Sequence, residues 1–175
     1  MPRLFTYTIP IDDGAAPNPF GGLCTLAICK PGIRRVAKEG DWIAGLGSRK
    51  APSGDLSNRL VYAMRIEEVL TLQEYDRQAL TRWPQRIPNV HSTELWERLG
   101  DCIYDFSNGK PLQPRPSVHG PLNVKTDLSG ENVLISRYFY YWGSKAIELP
   151  QCLMQICHQT QGHKSDSNLP TLIRS

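Results

Sequence analysis

Residues 40–48 read GDWIAGLGS, and residues 59–70 read RLVYAMRIEEVL. The first is a Gly-Asp turn, then an amphipathic strand with one tryptophan, then glycines opening a loop, RKAPSGDLSN. In the second, Leu60, Tyr62, Met64 and Ile66 recur at every other position, the period of a half-buried strand. Two strands joined through such a loop suit antiparallel neighbours, and the remaining segments are read outward from this pair.

Upstream, RLFTYTIPI (3–11) alternates Thr6 and Thr8 against Phe5, Tyr7 and Ile9 and predicts a first strand. DDGAAPNPFGG is a long turn, because Pro17 and Pro19 remove backbone donors and the glycines permit unusual angles. LCTLAIC (23–29) predicts a second, short strand. KPGIRRVAKEG (30–40) predicts a short helix, with Pro31 in its first turn and Gly40 just past its end. Ile33, Val36 and Ala37 would face the core, and Lys30, Arg34 and Lys38 would share an exposed side.

Downstream, TLQEYDRQAL (71–80) opens with Thr71 and Glu74, the spacing of a capping box that starts a helix. STELWERL (92–99) predicts a second small helix, and CIYDF (102–106) a strand before an Asn-Gly turn. ENVLISRYFYYWG (131–143) predicts a strand pair or one bent strand, and Pro150 opens a closing helix through Cys157. Short helices among strands, without regular βαβ alternation, define an α+β class. The expected architecture is a small mixed β-barrel with short peripheral helices, forming a single domain over 1–160. A polar, mobile tail is expected over 161–175.

Composition is that of a globular protein, with 40% hydrophobic and 21% charged residues in 175. No apolar run approaches the ~18 residues that span a bilayer, so no membrane partner is expected. The N-terminal MPRLFTYTIPIDDGAAP lacks the apolar block of a signal peptide, which points to the cytoplasm. Five cysteines (Cys24, Cys29, Cys102, Cys152, Cys157) then read as reduced, small buried residues. Their C-x4-C spacings differ from those of zinc sites, so no metal and no cofactor is expected. The four histidines, His91, His119, His158 and His163, read as loop or tail residues.

Net charge is +3, but residues 30–65 hold eight Lys and Arg against three acidic residues. Such a local positive field favours anionic partners, nucleic acid or nucleotide first, although a solvated surface face would look the same. There is no phosphate-binding glycine loop, no G-x-S-x-G and no H-E-x-x-H. At 137–144 the chain reads RYFYYWGS, five consecutive aromatic residues. On a strand, Tyr138, Tyr140 and Trp142 share one face while Phe139 and Tyr141 take the other, so one face can pack inward and the other can meet a ligand.

The segments APNPFGGLCTLAICKP, GDWIAGLGS, LVYAM, GDCIYDF and VLISRYFYYWG resemble the nucleotide modification associated domain, type two, over about residues 4–150. More distantly, the order of a basic segment, a Gly-Asp strand and a strand ending Ile66-Glu67-Glu68-Val69 resembles the PUA-like superfamily of EVE, ASCH and YTH domains. The first resemblance implies association with modified bases in bacterial and phage genomes. The second implies a PUA-like barrel that holds a flipped base between aromatic side chains, where stacking contributes ~1–3 kcal/mol per base.

On that basis Trp42, Trp142 and Phe20 are candidate stacking walls, each with a core or plug role as the alternative. Asn18 carries an amide suited to a base edge. Ser48 and Lys50 suit a phosphate or sugar, and Lys30 and Arg34 a nucleic-acid backbone. The favoured function is binding of a modified nucleobase, or of nucleic acid or nucleotide carrying it, rather than catalysis. A small ASCH-like amidohydrolase using Thr25, Lys30 and Glu67 is one alternative, although their order departs from that of those enzymes. Asp41 or Glu68 as a general base, and an interaction subunit of a restriction or modification system, are the others.

Overall fold

The computed structural model describes residues 1–157 and 163–166. Its elements run β1 (Leu4–Ile9), β2 (Cys24–Leu26), α1 (Pro31–Val36), β3 (Trp42–Gly47), β4 (Arg59–Arg65), β5 (Glu68–Thr71) and α2 (Leu72–Arg82). There follow α3 (Leu95–Arg98), α4 (Val124–Leu128), β6 (Asn132–Ser136), β7 (Phe139–Tyr141), β8 (Ile147–Glu148) and β9 (His163–Asp166). The chain divides into two compact units that alternate along the sequence. The first takes Met1–Asp12, Ala37–Glu67 and Tyr138 onward, and the second Asp13–Val36 and Glu68–Arg137.

The first unit is built on a sheet of order β7-β4-β3-β1-β9, with β8 also on β4. β1 runs parallel to β3, and the other pairs are antiparallel. Asp41, in the Gly-Asp turn, sets this arrangement. Its carboxylate accepts the Arg3 backbone N–H and the Arg3 guanidinium, each at 2.8 Å, and the Lys38 N–H at 3.0 Å. The starts of β1 and β3 are thereby fastened together. The glycines of GDWIAGLGS serve packing rather than a ligand: a Cβ on Gly45 would enter the Tyr62 ring, and one on Gly47 would strike the Leu56 carbonyl. Phe5, Tyr7, Ile43, Tyr62 and Met64 are buried, with the Tyr7 and Tyr62 hydroxyls 2.9 Å apart. The predicted closing helix is a 3-10 segment, Gln151–Ile156, whose Ile156 joins Leu4, Ala44, Leu46 and Leu149 in a separate apolar cluster.

The second unit holds a three-stranded antiparallel sheet, β2-β6-β5. The run 59–70, which reads as one long strand, and the run 131–143, which reads as a strand pair or one bent strand, are each divided between the units. The run 59–70 leaves β4 after Arg65; there Ile66 donates to the Asp41 carbonyl and accepts from the Gly40 N–H, both at 2.8 Å. The chain resumes as β5 in the other sheet. The run 131–143 divides the same way, into β6 and β7. The α+β class therefore stands. Among the described residues neither sheet closes on itself, so two open sheets are found where one small barrel was expected.

Local signals fared unevenly. Thr71 and Glu74 form both bonds of the capping box at α2. CIYDF is not a strand: its backbone is held singly, by Arg86 O on Cys102 N–H, Asp76 on Phe106 N–H and Arg115 N–H on Ile103 O. The tail expected over 161–175 lies largely outside the described residues; within it, 163–166 pair with β1.

Arg34, expected on an exposed helix face, is fully buried. Its guanidinium donates to the carbonyls of Cys29 (2.8 Å), Ala27 (2.6 Å), Asn132 (3.0 Å) and Asp127. Those acceptors come from β6, α4 and the segment before α1, so one side chain ties three elements together. Gly130 gives it room, since a Cβ there would overlap the guanidinium. Four carbonyls prevent that group from moving aside. Gly130→Ala is predicted to destabilise the fold by about 1–3 kcal/mol in urea unfolding, whereas Gly120→Ala, facing open space, should stay within about 0.5 kcal/mol of the parent.

Candidate functional site

Alternation along RYFYYW has the expected geometric result. Tyr138, Tyr140 and Trp142 join Trp42 of β3 in one continuous row of rings. Successive centroids lie 5.7 Å (Trp42–Tyr138), 5.9 Å (Tyr138–Tyr140) and 5.9 Å (Tyr140–Trp142) apart. The first two contacts are edge-to-face and the last is stacked, both favourable geometries for ring quadrupoles. Tyr138 and Tyr140 are each 49% exposed, and the tryptophans are half-buried. The opposite face behaves differently: Tyr141 donates to Asp12 Oδ2 at 2.8 Å.

The register explains why the rings meet. Trp42 pairs with Arg65 and Ala63 with Tyr140, while Ala44 faces Ala63 between them. Directly opposed residues share a face, so exposed Arg65 sits on the Trp42 side, while Ala44 on that face is covered by the cluster with Leu4, Leu46, Leu149 and Ile156. Ser48 and Lys50 follow the far end of β3, one strand length, roughly 20 Å, from Trp42. That end lies toward Trp142, whose N–H bonds Val61 O, since Leu60 pairs with Leu46.

The other candidates belong to the second unit. Asn18 is buried with its amide engaged: Nδ2 donates to Leu99 O at 2.9 Å, and Oδ1 accepts from Phe20 N–H and Arg86 Nη1. It positions a turn and has no edge to offer a base. Arg34, enclosed as described, likewise cannot reach a phosphate. Phe20 packs partly buried against Ala15, Ile28, Leu99 and Ile103, and Lys30 is half-buried just before α1. Thr25 is buried, its hydroxyl donating to Asp101 and accepting from Arg86, and Glu67 lies in the first unit, so Thr25, Lys30 and Glu67 do not form a site within one unit. Asp41 is saturated by Arg3 and Lys38, which leaves it no place as a general base. In the second unit a groove of about 500 Å³ runs along α2, but Glu74 there is held in the capping box and Asp76 by Arg115.

A second constellation escaped the sequence. His119 Nδ1 lies 2.6 Å from Asp127 Oδ2, and its Nε2 lies 3.5 Å from Cys29 Sγ. Asp127 is buried and also accepts the Cys29 N–H at 3.0 Å and the Tyr104 hydroxyl at 2.9 Å. Hydrogen bonding to Asp127, then to Cys29, holds the His119 pKa up to about 10 against the opposing effect of burial. Burial alone would raise Asp127, but its bonds from His119, Cys29 and Tyr104 leave it below the usual carboxylate range. Cys29 and His119 are separated by 90 residues, and α4, which supplies Asp127, has a single turn of helix and gave no periodic signal.

An α+β chain with an exposed aromatic row and a hydrogen-bonded Cys-His-Asp line is thus defined. It belongs to the family described as nucleotide modification associated domain 2, whose profile matches residues 1–174. No curated protein and no solved structure matches the chain. Among the described residues, no helix is long and apolar enough to cross a membrane.

The raised pKa of His119 has a pH signature. Stability from its charged form is complete below the unfolded value of ~6.5 and is lost as pH rises through about 10. The depressed Asp127 adds stability above its unfolded value, ~3.9, which is lost as pH falls. The stability gap between the parent and His119→Ala, from urea unfolding, should be widest at about pH 5–6 and close toward pH 10. A gap that widens with rising pH would contradict the pairing.

Proposed function

We propose that the protein binds a modified nucleobase, within nucleic acid or as a nucleotide, by stacking it on the row Trp42, Tyr138, Tyr140 and Trp142. The observation that carries this is the row itself, four neighbouring rings left partly open to solvent, in a chain whose family is associated with nucleotide modification. Aromatic side chains so exposed lose little by meeting water and gain by stacking on a flat heterocycle. Arg65 beside Trp42, and Lys50 beyond the Trp142 end, supply cations for phosphate at the two ends of the row. The row is an open platform, which suits a base already unstacked or in single-stranded form.

The PUA-like kinship, and a setting in DNA modification or phage defence, belong to the same proposal. Motif order supports the first and the family description the second. The test is titration of the protein, followed by tryptophan fluorescence, with single-stranded oligonucleotides carrying modified or plain cytosine and adenine. One modified base should bind more tightly than its plain counterpart. Trp142→Ala and Tyr140→Ala should each weaken it about 5- to 100-fold, the worth of one stacked base. Affinity indifferent to both the modification and these substitutions would rule the row out.

A further inference from the structure

The Cys29–His119–Asp127 line is used neither by the aromatic row nor by the family description, and its construction is unusual. Cys29 and Lys30 have φ of 59° and 40°, two consecutive side-chain-bearing residues in the left-handed region. Such a conformation is strained for a residue with a side chain and persists only where its surroundings impose it. Here they do: the Cys29 N–H is held by Asp127 Oδ1 and the Cys29 carbonyl by Arg34 Nε. With the backbone fixed on both sides, the side chain is left facing His119 Nε2, and Cys29 as a residue is only partly buried.

The order of contacts is that of a relay. Asp127 and Cys29 occupy opposite nitrogens of one imidazole, so the carboxylate fixes the ring and Nε2 is aimed at the sulfur. Tyr104 braces the same carboxylate oxygen, and burial drives its own pKa well up, so it remains a neutral donor. Lys30 and Arg34 interact electrostatically with Cys29, adding positive charge around the sulfur. The buried thiols lack such a setting: Cys102, for example, is pushed strongly toward its neutral form by desolvation.

We propose that Cys29 is a nucleophile, His119 its acid–base partner and Asp127 the residue that orients His119, in acyl transfer from a carboxylic ester or amide to water. The Cys29 thiolate attacks the carbonyl carbon, forming a C–S bond as the carbonyl's bond to oxygen or nitrogen breaks. His119 Nε2 gives its proton to the departing alcohol or amine. Water then attacks the thioester while His119 takes one of its protons. The carboxylic acid departs, and the thiolate–imidazolium pair is restored. This activity is independent of base stacking by the aromatic row, and either can fail without the other.

The experiment uses the full chain. Iodoacetamide labelling across pH, with each cysteine read by peptide mass mapping, compares Cys29 with the exposed Cys152. Reaction with p-nitrophenyl acetate, read by p-nitrophenolate release and mapping of acetyl adducts, tests the chemistry. The groups facing the pair are Asp127, Tyr104, Lys30 and Arg34, so the pH profile reports His119 within that set. Cys29, with His119 Nε2 against its sulfur, should label at least about tenfold faster than Cys152 near pH 6. His119→Gln should abolish that advantage. Acetyl should appear on Cys29, with a burst that Cys29→Ser removes while circular dichroism shows the fold intact. Cys29 labelling in step with Cys152, or fast labelling without acetyl transfer, would overturn the proposal.

Discussion

One buried carboxylate, that of Asp127, receives the Cys29 N–H, the Tyr104 hydroxyl and His119 Nδ1, while the Asp127 main-chain carbonyl takes a bond from Arg34. Taking a carboxylate out of water costs several kcal/mol unless its lone pairs are satisfied. Here three donors satisfy it, drawn from segments far apart in the sequence. That requirement, more than any sheet, fixes where Cys29, Tyr104 and His119 stand. Loss of any donor would leave an under-satisfied buried charge, so the arrangement is held as a whole.

The same logic recurs in Arg34 and Arg86. Arg86 donates to the Phe20 and Leu23 carbonyls and to Asn18, as Arg34 does to four others, so irregular backbone is satisfied by guanidinium groups where no strand neighbour exists. Planar guanidinium groups with five donors suit this task, which lysine could not perform. The second unit can therefore make do with a three-stranded sheet and still bury two apolar clusters, one around Tyr75 and Trp83, the other around Ile28 and Ile103. Its interior polar groups serve as struts, and one set of struts ends on a thiol.

Much of this was readable locally. Period-two alternation located β1 and β4, the Gly-Asp turn and the glycine loop bracketed β3, the Thr71–Glu74 pair located α2, and alternation through RYFYYW placed Tyr138, Tyr140 and Trp142 on one face. What failed was set by distant partners. Nothing local to Ile66 says that its backbone bonds return to Gly40 and Asp41 and so end a strand that the side-chain pattern continues. Arg34 looks like a solvated helix cation until the carbonyls across the unit are counted. Cys29 and His119 were unremarkable singly; only the fold shows that 90 residues of intervening chain bring them together. The positive φ angles at Cys29 and Lys30 have no compositional signature, since neither residue is glycine or asparagine.

The aromatic row thus lies on the first unit and the thiol–imidazole–carboxylate line on the second. The geometry of the second depends on His119 being clasped between Asp127 and Cys29. Histidine ring resonances followed by NMR through a pH titration, with His119→Gln for assignment, test that clasp most directly. His119 should remain imidazolium through neutrality and release its proton only near pH 10, the value to which its bonds to Asp127 and Cys29 lift it. Titration near the ordinary ~6.5 would show that the ring is not so held.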